Sequence, residues 1–168
     1  SGETLEAALF ADVETCLAAD PRARLLVTGH SLGGALSVLF GVRFSLARRD
    51  VDVQVLNFGC PKVGNARFAR LAREASNLRM HRVANRRDVV TRAPNIGYRH
   101  AGHTLVIDGA PGVAARAYKW HEGLSVLTNW NPLRGSVSDH SIASYIAALR
   151  KHAPSATADP EPWVAAYS

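Results

Sequence analysis

The residues best suited to chemistry lie in a short glycine-rich stretch that contains one serine. The stretch reads Gly29-His30-Ser31-Leu32-Gly33-Gly34, so the serine has a glycine two positions away on each side. A serine that projects from a sharp strand-to-helix turn needs such neighbours, because a Cβ at either flanking position is expected to collide with the adjacent strand or helix. The pattern predicts a nucleophile elbow with Ser31 as the nucleophile.

The residues around this stretch have the patterns that an elbow requires. The aliphatic run at 25–27 is typical of a buried strand, and the apolar residues that follow Ser31 recur at helical spacing without a proline. A phosphate-binding loop would need a lysine after the last glycine, and a dinucleotide fingerprint would need Gly-x-Gly. Neither is present, so both kinds of site are excluded for this stretch.

A serine hydroxyl needs a base, and His140 has the best setting among the seven histidines. It follows Asp139, which we expect to cap the next helix, and precedes an apolar stripe formed by Ile142, Tyr145, Ile146 and Leu149. His30 is expected to point away from Ser31 and to pack, and His81 and His152 are expected to be structural or exposed. His121, in an irregular stretch, remains an alternative base.

The acid that would hold this histidine is predicted to be Asp88. It follows the strand predicted at 78–83, and the resulting chain order of serine, aspartate and histidine is the order of hydrolases built on this elbow. Asp108 also ends a predicted strand, but the following Gly109 suggests a turn. Asp88 is therefore favoured over Asp108.

The elements that must position these residues alternate between helix and strand. This alternation predicts an α/β fold with a mostly parallel sheet covered by helices on both faces, and with the active site at the carboxyl ends of the strands. The predicted helices are 4–19, the segment after Ser31 and 65–75, and the predicted strands are 25–27, 51–58, 78–83 and 104–107.

The charge of the chain limits which classes of binding partner are expected. The net charge of +6 comes from the second half of the chain, where Arg67, Arg70 and Arg73 share one predicted helix face. A nucleic-acid partner is not expected, because no binding motif or aromatic platform accompanies the arginines. We interpret the face as solvated, with an anionic lipid surface as the alternative.

The cysteines and hydrophobic segments point to no cofactor and no membrane span. Cys16 and Cys60 are expected to be buried free thiols rather than a disulfide, and no residues have metal-ligand spacing. The most apolar stretch, 25–47, is interrupted by polar residues and glycines and is typical of a strand and a core helix. No metal or cofactor is expected.

Four blocks of residues together resemble the class 3, fungal-type lipases of the α/β-hydrolase fold. They are 29–34, Phe58-Gly-Cys-Pro-Lys-Val-Gly-Asn65, Asn85-Arg-Arg-Asp-Val-Val90 with Pro94, and the pair Asp139-His140. The resemblance implies a Ser31, Asp88 and His140 triad, an oxyanion donor at the backbone N–H of Leu32, and substrates that are acylglycerols or related carboxylic esters. Lys62 stands where the family more often has arginine.

The resemblance also implies what lies outside this sequence. The family carries further strands upstream of the first helix, and these supply a second oxyanion donor and usually a lid. We therefore expect residues 1–153 to form an N-terminally incomplete α/β-hydrolase domain that associates with such a segment or with another copy of itself. Contact with a lipid interface is also expected, and residues 154–168, which contain two prolines, are predicted to be a loosely packed extension.

Three rival functions remain at this stage. An acyltransferase would use the same triad with an alcohol in place of water, and a non-catalytic module would retain the fold alone. A Cys60 nucleophile is disfavoured because Cys60 lacks flanking glycines. Trp120 and Trp130 are predicted to fill core rather than to line a lipid surface.

Overall fold

The computed structural model describes residues 4–20, 22–108, 116–118 and 136–152, with the side chains of 116–118 and 152 excepted. His121, Trp120, Trp130 and the extension predicted at 154–168 lie outside the described residues. The helices are α1 (Leu5–Ala19), α2 (Leu32–Ala47), α3 (Ala66–Glu74) and α4 (Ile142–His152), and the strands are β1 (Leu25–His30), β2 (Val53–Phe58), β3 (Leu78–Asn85), β4 (His103–Ile107) and β5 (Arg116–Tyr118). Single 3-10 turns occur at Val90–Arg92 and Ser138–His140.

The strands form one sheet in the order β1-β2-β3-β4-β5. The first four strands are parallel, as predicted, and β5 runs antiparallel to β4. The strand β5 was not predicted, because its three residues are too few for an alternating pattern to stand out. The carboxyl ends of β1, β2 and β3 lie side by side, so the residues that follow them meet at one edge of the sheet.

One face of the sheet packs on α2 and α3. The inward residues of β2 are buried at every second position, with Val53 and Val55 almost fully enclosed. Gly41 in α2 allows the close approach, since a Cβ there would lie 2.4 Å from a methyl group of Val55. Helix α1 covers α2 through Phe10, whose ring contacts the rings of two α2 phenylalanines, Phe40 and Phe44. The main hydrophobic core therefore lies between the sheet and α2.

The other face of the sheet is covered by α4. Tyr145 and Ala148 are buried against Val83 and Ile107. The predicted stripe on this helix is half wrong, because Ile142 and Ile146 are 58% and 45% exposed. The side that packs is formed by Tyr145, Ala148 and Leu149, at the spacing i, i+3 and i+4.

The predicted helix cap at Asp139 is also wrong. Helix α4 begins after the 3-10 turn that contains Asp139, and Ser141 caps it by accepting the N–H of Ser144 at 3.1 Å. The Asp139 carboxylate instead forms an ion pair with Arg87 at 3.5 Å. Asp139 thus lies two residues before the capping position of α4 and does not take that role.

The two cysteines are free, as predicted, but only Cys60 is buried. Cys16 is exposed because α1 lies on the outside of the molecule and has no fully buried residue. The arginine face of α3, formed by residues 67, 70 and 73, is exposed as predicted. Among the described residues, no helix is both long enough and apolar enough to cross a membrane.

Candidate active site

Ser31 lies in the sharp turn between β1 and α2. Its φ of 56° and ψ of −122° are unusual for a residue with a side chain, and no other non-glycine residue in the described part of the chain has a positive φ. The turn is held by the Ser31 N–H, which donates to the carbonyl of Phe58 at 3.0 Å. Backbone strain of this kind is maintained only where the surrounding structure enforces it. The predicted elbow geometry is therefore present at Ser31.

Not every glycine around Ser31 is needed to avoid a steric collision. A Cβ on Gly29 would lie 2.3 Å from the carbonyl oxygen of Gly33, and one on Gly34 would lie 3.0 Å from the Cβ of Cys60. A Cβ on Gly33 would meet nothing within 4 Å. The expectation that both flanking positions are sterically closed is therefore wrong for Gly33, whose α-carbon faces open space at the start of α2. The elbow needs glycine at 29 and benefits from it at 34.

The structure brings the three predicted site residues into one chain of hydrogen bonds. The Oγ of Ser31 is 2.7 Å from Nε2 of His140, and Nδ1 of His140 is 2.8 Å from Oδ2 of Asp88. Because a carboxylate only accepts, Nδ1 carries the hydrogen and donates to Asp88, which leaves Nε2 to accept the serine proton. This arrangement can remove a proton from Ser31.

Asp88 is buried and fully engaged. It has no exposed surface, and its Oδ1 accepts the N–H of Val90 at 2.8 Å. Its Oδ2 accepts the Tyr145 hydroxyl at 2.7 Å in addition to His140. Three donors therefore compensate for the loss of hydration, which a buried carboxylate requires.

Tyr145 is the site residue that sequence reasoning missed, because it was predicted only as part of an apolar stripe. Its hydroxyl donates to Asp88 and accepts the backbone N–H of Asn85 at 2.9 Å. Burial raises the pKa of this hydroxyl above its ordinary value, so the hydroxyl keeps the proton that it donates. The sequence feature that could have identified Tyr145 is its position in the helix after the predicted base, five residues beyond His140.

A buried cation lies beneath the site. Arg82 on β3 is 6% exposed and donates to the Thr104 hydroxyl at 2.8 Å. Burial lowers the pKa of this guanidinium to about 10, and the attraction of the Asp88 carboxylate is among the effects that oppose the shift. Arg82 therefore stays charged at neutral pH.

Leu32 is the first residue of α2, and its side chain is 70% exposed. The first N–H groups of a helix have no acceptor within the helix, and they lie at its partially positive end. The N–H of Leu32 is therefore available to a ligand beside Ser31.

The alternative site residues within the described part of the chain, Asp108 and Cys60, lie outside this hydrogen-bonded chain. Asp108 forms an ion pair with Arg86 at 3.3 Å, and the ring of His81 stacks on that of His103 at 5.7 Å. Burial raises the pKa of the Cys60 thiol to about 11, which keeps it protonated at neutral pH. Among the described residues, no group of three potential metal ligands occurs.

Comparison with known proteins identifies a family. The family model described as Lipase (class 3) matches residues 2–98. Phospholipase A1-IIdelta of Arabidopsis thaliana is 32% identical over 127 residues, which are 69% of this chain and 31% of that protein. The secreted mono- and diacylglycerol lipase 1 of Fusarium solani is 35% identical over 112 residues, which are 65% of this chain and 32% of that protein.

The fold has the same relatives. The triacylglyceride lipase of Rhizomucor miehei superposes with a TM-score of 0.65 at 26% identity, covering 81% of this chain and 53% of the lipase. The chain thus spans about a third of the length of the curated relatives and about half of the solved structure. The family match covers more than half of the residues of this chain, which therefore belongs to the class 3 lipase family and has the fold of the α/β-hydrolases.

Proposed function

We propose that this chain carries the catalytic residues of a serine hydrolase that cleaves carboxylic esters of lipids. Ser31 is the nucleophile, His140 the general base and Asp88 the residue that holds the histidine. The observation that carries the proposal is the continuous path from Ser31 Oγ through both nitrogens of His140 to Asp88, with heavy-atom distances of 2.7 and 2.8 Å.

The reaction follows from that path. As the Oγ of Ser31 bonds to the ester carbonyl carbon, its proton passes to Nε2 of His140, and Asp88 stabilises the imidazolium. The imidazolium then gives this proton to the departing alkoxide, which leaves an acyl-serine. Water attacks the acyl-serine with His140 again acting as base, and the carboxylic acid and free Ser31 are released.

The negative charge that develops on the carbonyl oxygen needs donors, and the N–H of Leu32 is the one that we assign. It belongs to the first turn of α2, whose dipole also favours an anion. Oxyanion holes normally combine two donors, and losing one reduces turnover by roughly a hundred- to a thousand-fold. With Leu32 as the one donor, both acylation and deacylation are therefore expected to be slow.

The substrate class is an acylglycerol or a related lipid ester. The relatives named above are a phospholipase A1, a mono- and diacylglycerol lipase and a triacylglyceride lipase, which share a fatty acyl ester. Two apolar side chains close in sequence to the site, Leu32 and Val137, are 70% and 73% exposed. Exposed apolar surface beside the nucleophile suits contact with a lipid interface.

We further propose that residues 1–153 act as part of one α/β-hydrolase domain together with a segment that pairs with β1. In the described part of the chain β1 pairs only with β2, and Leu26 on this strand is 60% exposed. An uncovered parallel strand with an exposed leucine favours the addition of another strand. Labelling of Ser31 with very slow hydrolysis of a soluble ester supports this proposal. Turnover at ordinary enzyme rates, about 1–1000 s⁻¹, contradicts it.

Covalent labelling tests the catalytic proposal. A fluorophosphonate probe should modify the chain at Ser31, the adduct should be located by mass spectrometry, and Ser31→Ala should abolish it. Ser76→Ala, which removes an exposed turn serine, is the matched control and should label like the unmodified chain. A folded chain that reacts no faster than the Ser31→Ala variant would refute the proposal.

A further inference from the structure

His30 precedes the nucleophile and contacts the base. It is the last residue of β1, and its ring lies against the ring of His140, with centroids 4.7 Å apart and an angle of 34° between the planes. Its Nε2 is 2.8 Å from the backbone carbonyl oxygen of His140. Since a carbonyl only accepts, Nε2 of His30 carries a hydrogen and donates it. His30 packs, as the sequence predicts, but it packs on the catalytic histidine.

Gly59 forms the floor beneath both rings. It has a φ of +60°, and a Cβ there would lie 3.1 Å from Cε1 of His140 and 3.2 Å from Nε2 of His30. Such distances are shorter than most contacts that a Cβ makes. The two imidazoles are therefore packed against the same bare backbone position, and this packing restricts how either ring can tilt.

His140 itself has a weak local support. It ends the single 3-10 turn Ser138–His140, and its N–H donates to the carbonyl of Val137 within that turn. The neighbouring residues Ser138 and Ser141 are exposed. A side chain on one turn of backbone is not held by a strand or a long helix, so contacts from other elements must set its orientation.

We propose that His30 is a positioning residue that sets the orientation of His140 relative to Ser31. The Nε2–H of His30 holds the His140 carbonyl and so fixes the backbone that carries the base, so that Nε2 of His140 faces the serine oxygen. His30 is bonded in sequence to Ser31, so the same residue ties the nucleophile and the base together. This inference rests on the proposed function, because it assigns His30 a part in the same reaction.

Two substitutions separate the hydrogen bond from the ring. His30→Phe keeps an aromatic ring but removes the donor, whereas His30→Gln keeps an amide donor of similar reach without the ring. His81→Phe is the matched control, because His81 is also a strand histidine that stacks on another histidine, away from Ser31. Each variant is measured by the maximal rate of fluorophosphonate labelling and the half-saturating probe concentration. The third readout is the far-downfield NMR signal of the His140 Nδ1 proton shared with Asp88.

The expected result is a rate effect without a binding effect. His30→Phe should lower the maximal labelling rate about tenfold, as expected for the loss of one hydrogen bond of about 1.4 kcal/mol, and leave the half-saturating concentration unchanged. Its Nδ1 signal should broaden because the His140 ring is less restrained. His30→Gln should recover most of the rate and the signal, and His81→Phe should match the unmodified chain.

Two outcomes would overturn the inference. One is a His30→Phe variant with the unmodified rate and an unmodified Nδ1 signal, and the other is an equal loss in His30→Phe and His30→Gln. Failure of the proposed function is distinguishable, since the unmodified chain would then not label at all. The Nδ1 signal would still report whether His30 orients His140.

Discussion

Alanine at Gly29 is expected to damage both the fold and the site, because the structure leaves no room for a methyl group there. The new Cβ would lie 2.3 Å from the Gly33 oxygen, 2.4 Å from the Gly33 carbonyl carbon and 2.8 Å from the Gly34 nitrogen. All three are backbone atoms, so no side chain can rotate away. Restoring an ordinary contact requires the start of α2 to move by roughly 1 Å relative to β1.

The size of the effect follows from that movement. Overpacking typically lowers the free energy of unfolding by about 1–3 kcal/mol, and a clash with a peptide group of the backbone belongs at the upper end. About 3 kcal/mol corresponds to a Tm lower by roughly 6–12 °C for a chain of this size. The displaced turn carries Ser31, and a 1 Å misplacement of reacting groups lowers rates by about a hundredfold. Thermal unfolding followed by circular dichroism and the fluorophosphonate labelling rate measure the two effects.

Gly33→Ala is the matched control, because the same substitution four residues later meets nothing within 4 Å. Gly33 lies in the first turn of α2, where alanine is a better helix former by up to about 1 kcal/mol. We expect an unchanged or slightly higher Tm and an unchanged labelling rate. Equal losses in the two variants, or a Gly29→Ala variant that is indistinguishable from the unmodified chain, would refute the steric argument.

Three further outcomes are expected. Tyr145→Phe should lower the free energy of unfolding by about 2 kcal/mol and slow labelling, because Asp88 loses a buried donor. Urea unfolding measures the first effect. No change in either quantity would contradict a role of the Tyr145 hydroxyl in holding Asp88. In the native state at pH 8, iodoacetamide should modify exposed Cys16 and spare Cys60, whose pKa burial raises to about 11; peptide mass spectrometry distinguishes them, and prompt Cys60 alkylation would argue against this. Burial holds the pKa of His100 well below 6.5, so below that pH the unfolded chain binds a proton that the folded chain does not. The free energy of unfolding should therefore fall by up to about 1.4 kcal/mol per pH unit as the pH decreases from 6.5. His100→Gln should flatten this slope, which urea titrations at several pH values measure. An unchanged slope in the variant would show that His100 is not the group responsible.

The elbow and its partners were accessible from sequence because local patterns and chain order point to them. A glycine-flanked serine between a predicted strand and a predicted helix indicates a sharp turn at Ser31. Parallel strands bring their carboxyl ends to one edge of the sheet. Asp88 and His140 follow from that topology, since each comes directly after or before an element with a clear period. The structure brings the three side chains within hydrogen-bond distance.

The parts that sequence reasoning missed depend on contacts between distant residues. The Tyr145 hydroxyl reaches an aspartate 57 positions away, and His30 reaches a carbonyl 110 positions away. Helical spacing shows which residues share a side of α4 but not which side packs, so Ile142 was placed in the core and is exposed. Likewise, the sequence does not show whether a Cβ added to a motif glycine would collide with another atom. At Gly33 such a Cβ has no atom within 4 Å.

The separation of Ser31 and His140 along the chain has a consequence for biosynthesis. The two residues are 109 positions apart, so at synthesis rates of about 5–20 residues per second the base follows the nucleophile by roughly 5–20 s. During that interval β1, α2 and β2 can already pair, because their contacts are local. The nascent chain therefore displays a folded elbow without a base to activate it. On the proposed function, the Ser31 hydroxyl therefore stays unactivated until α4 docks on the sheet.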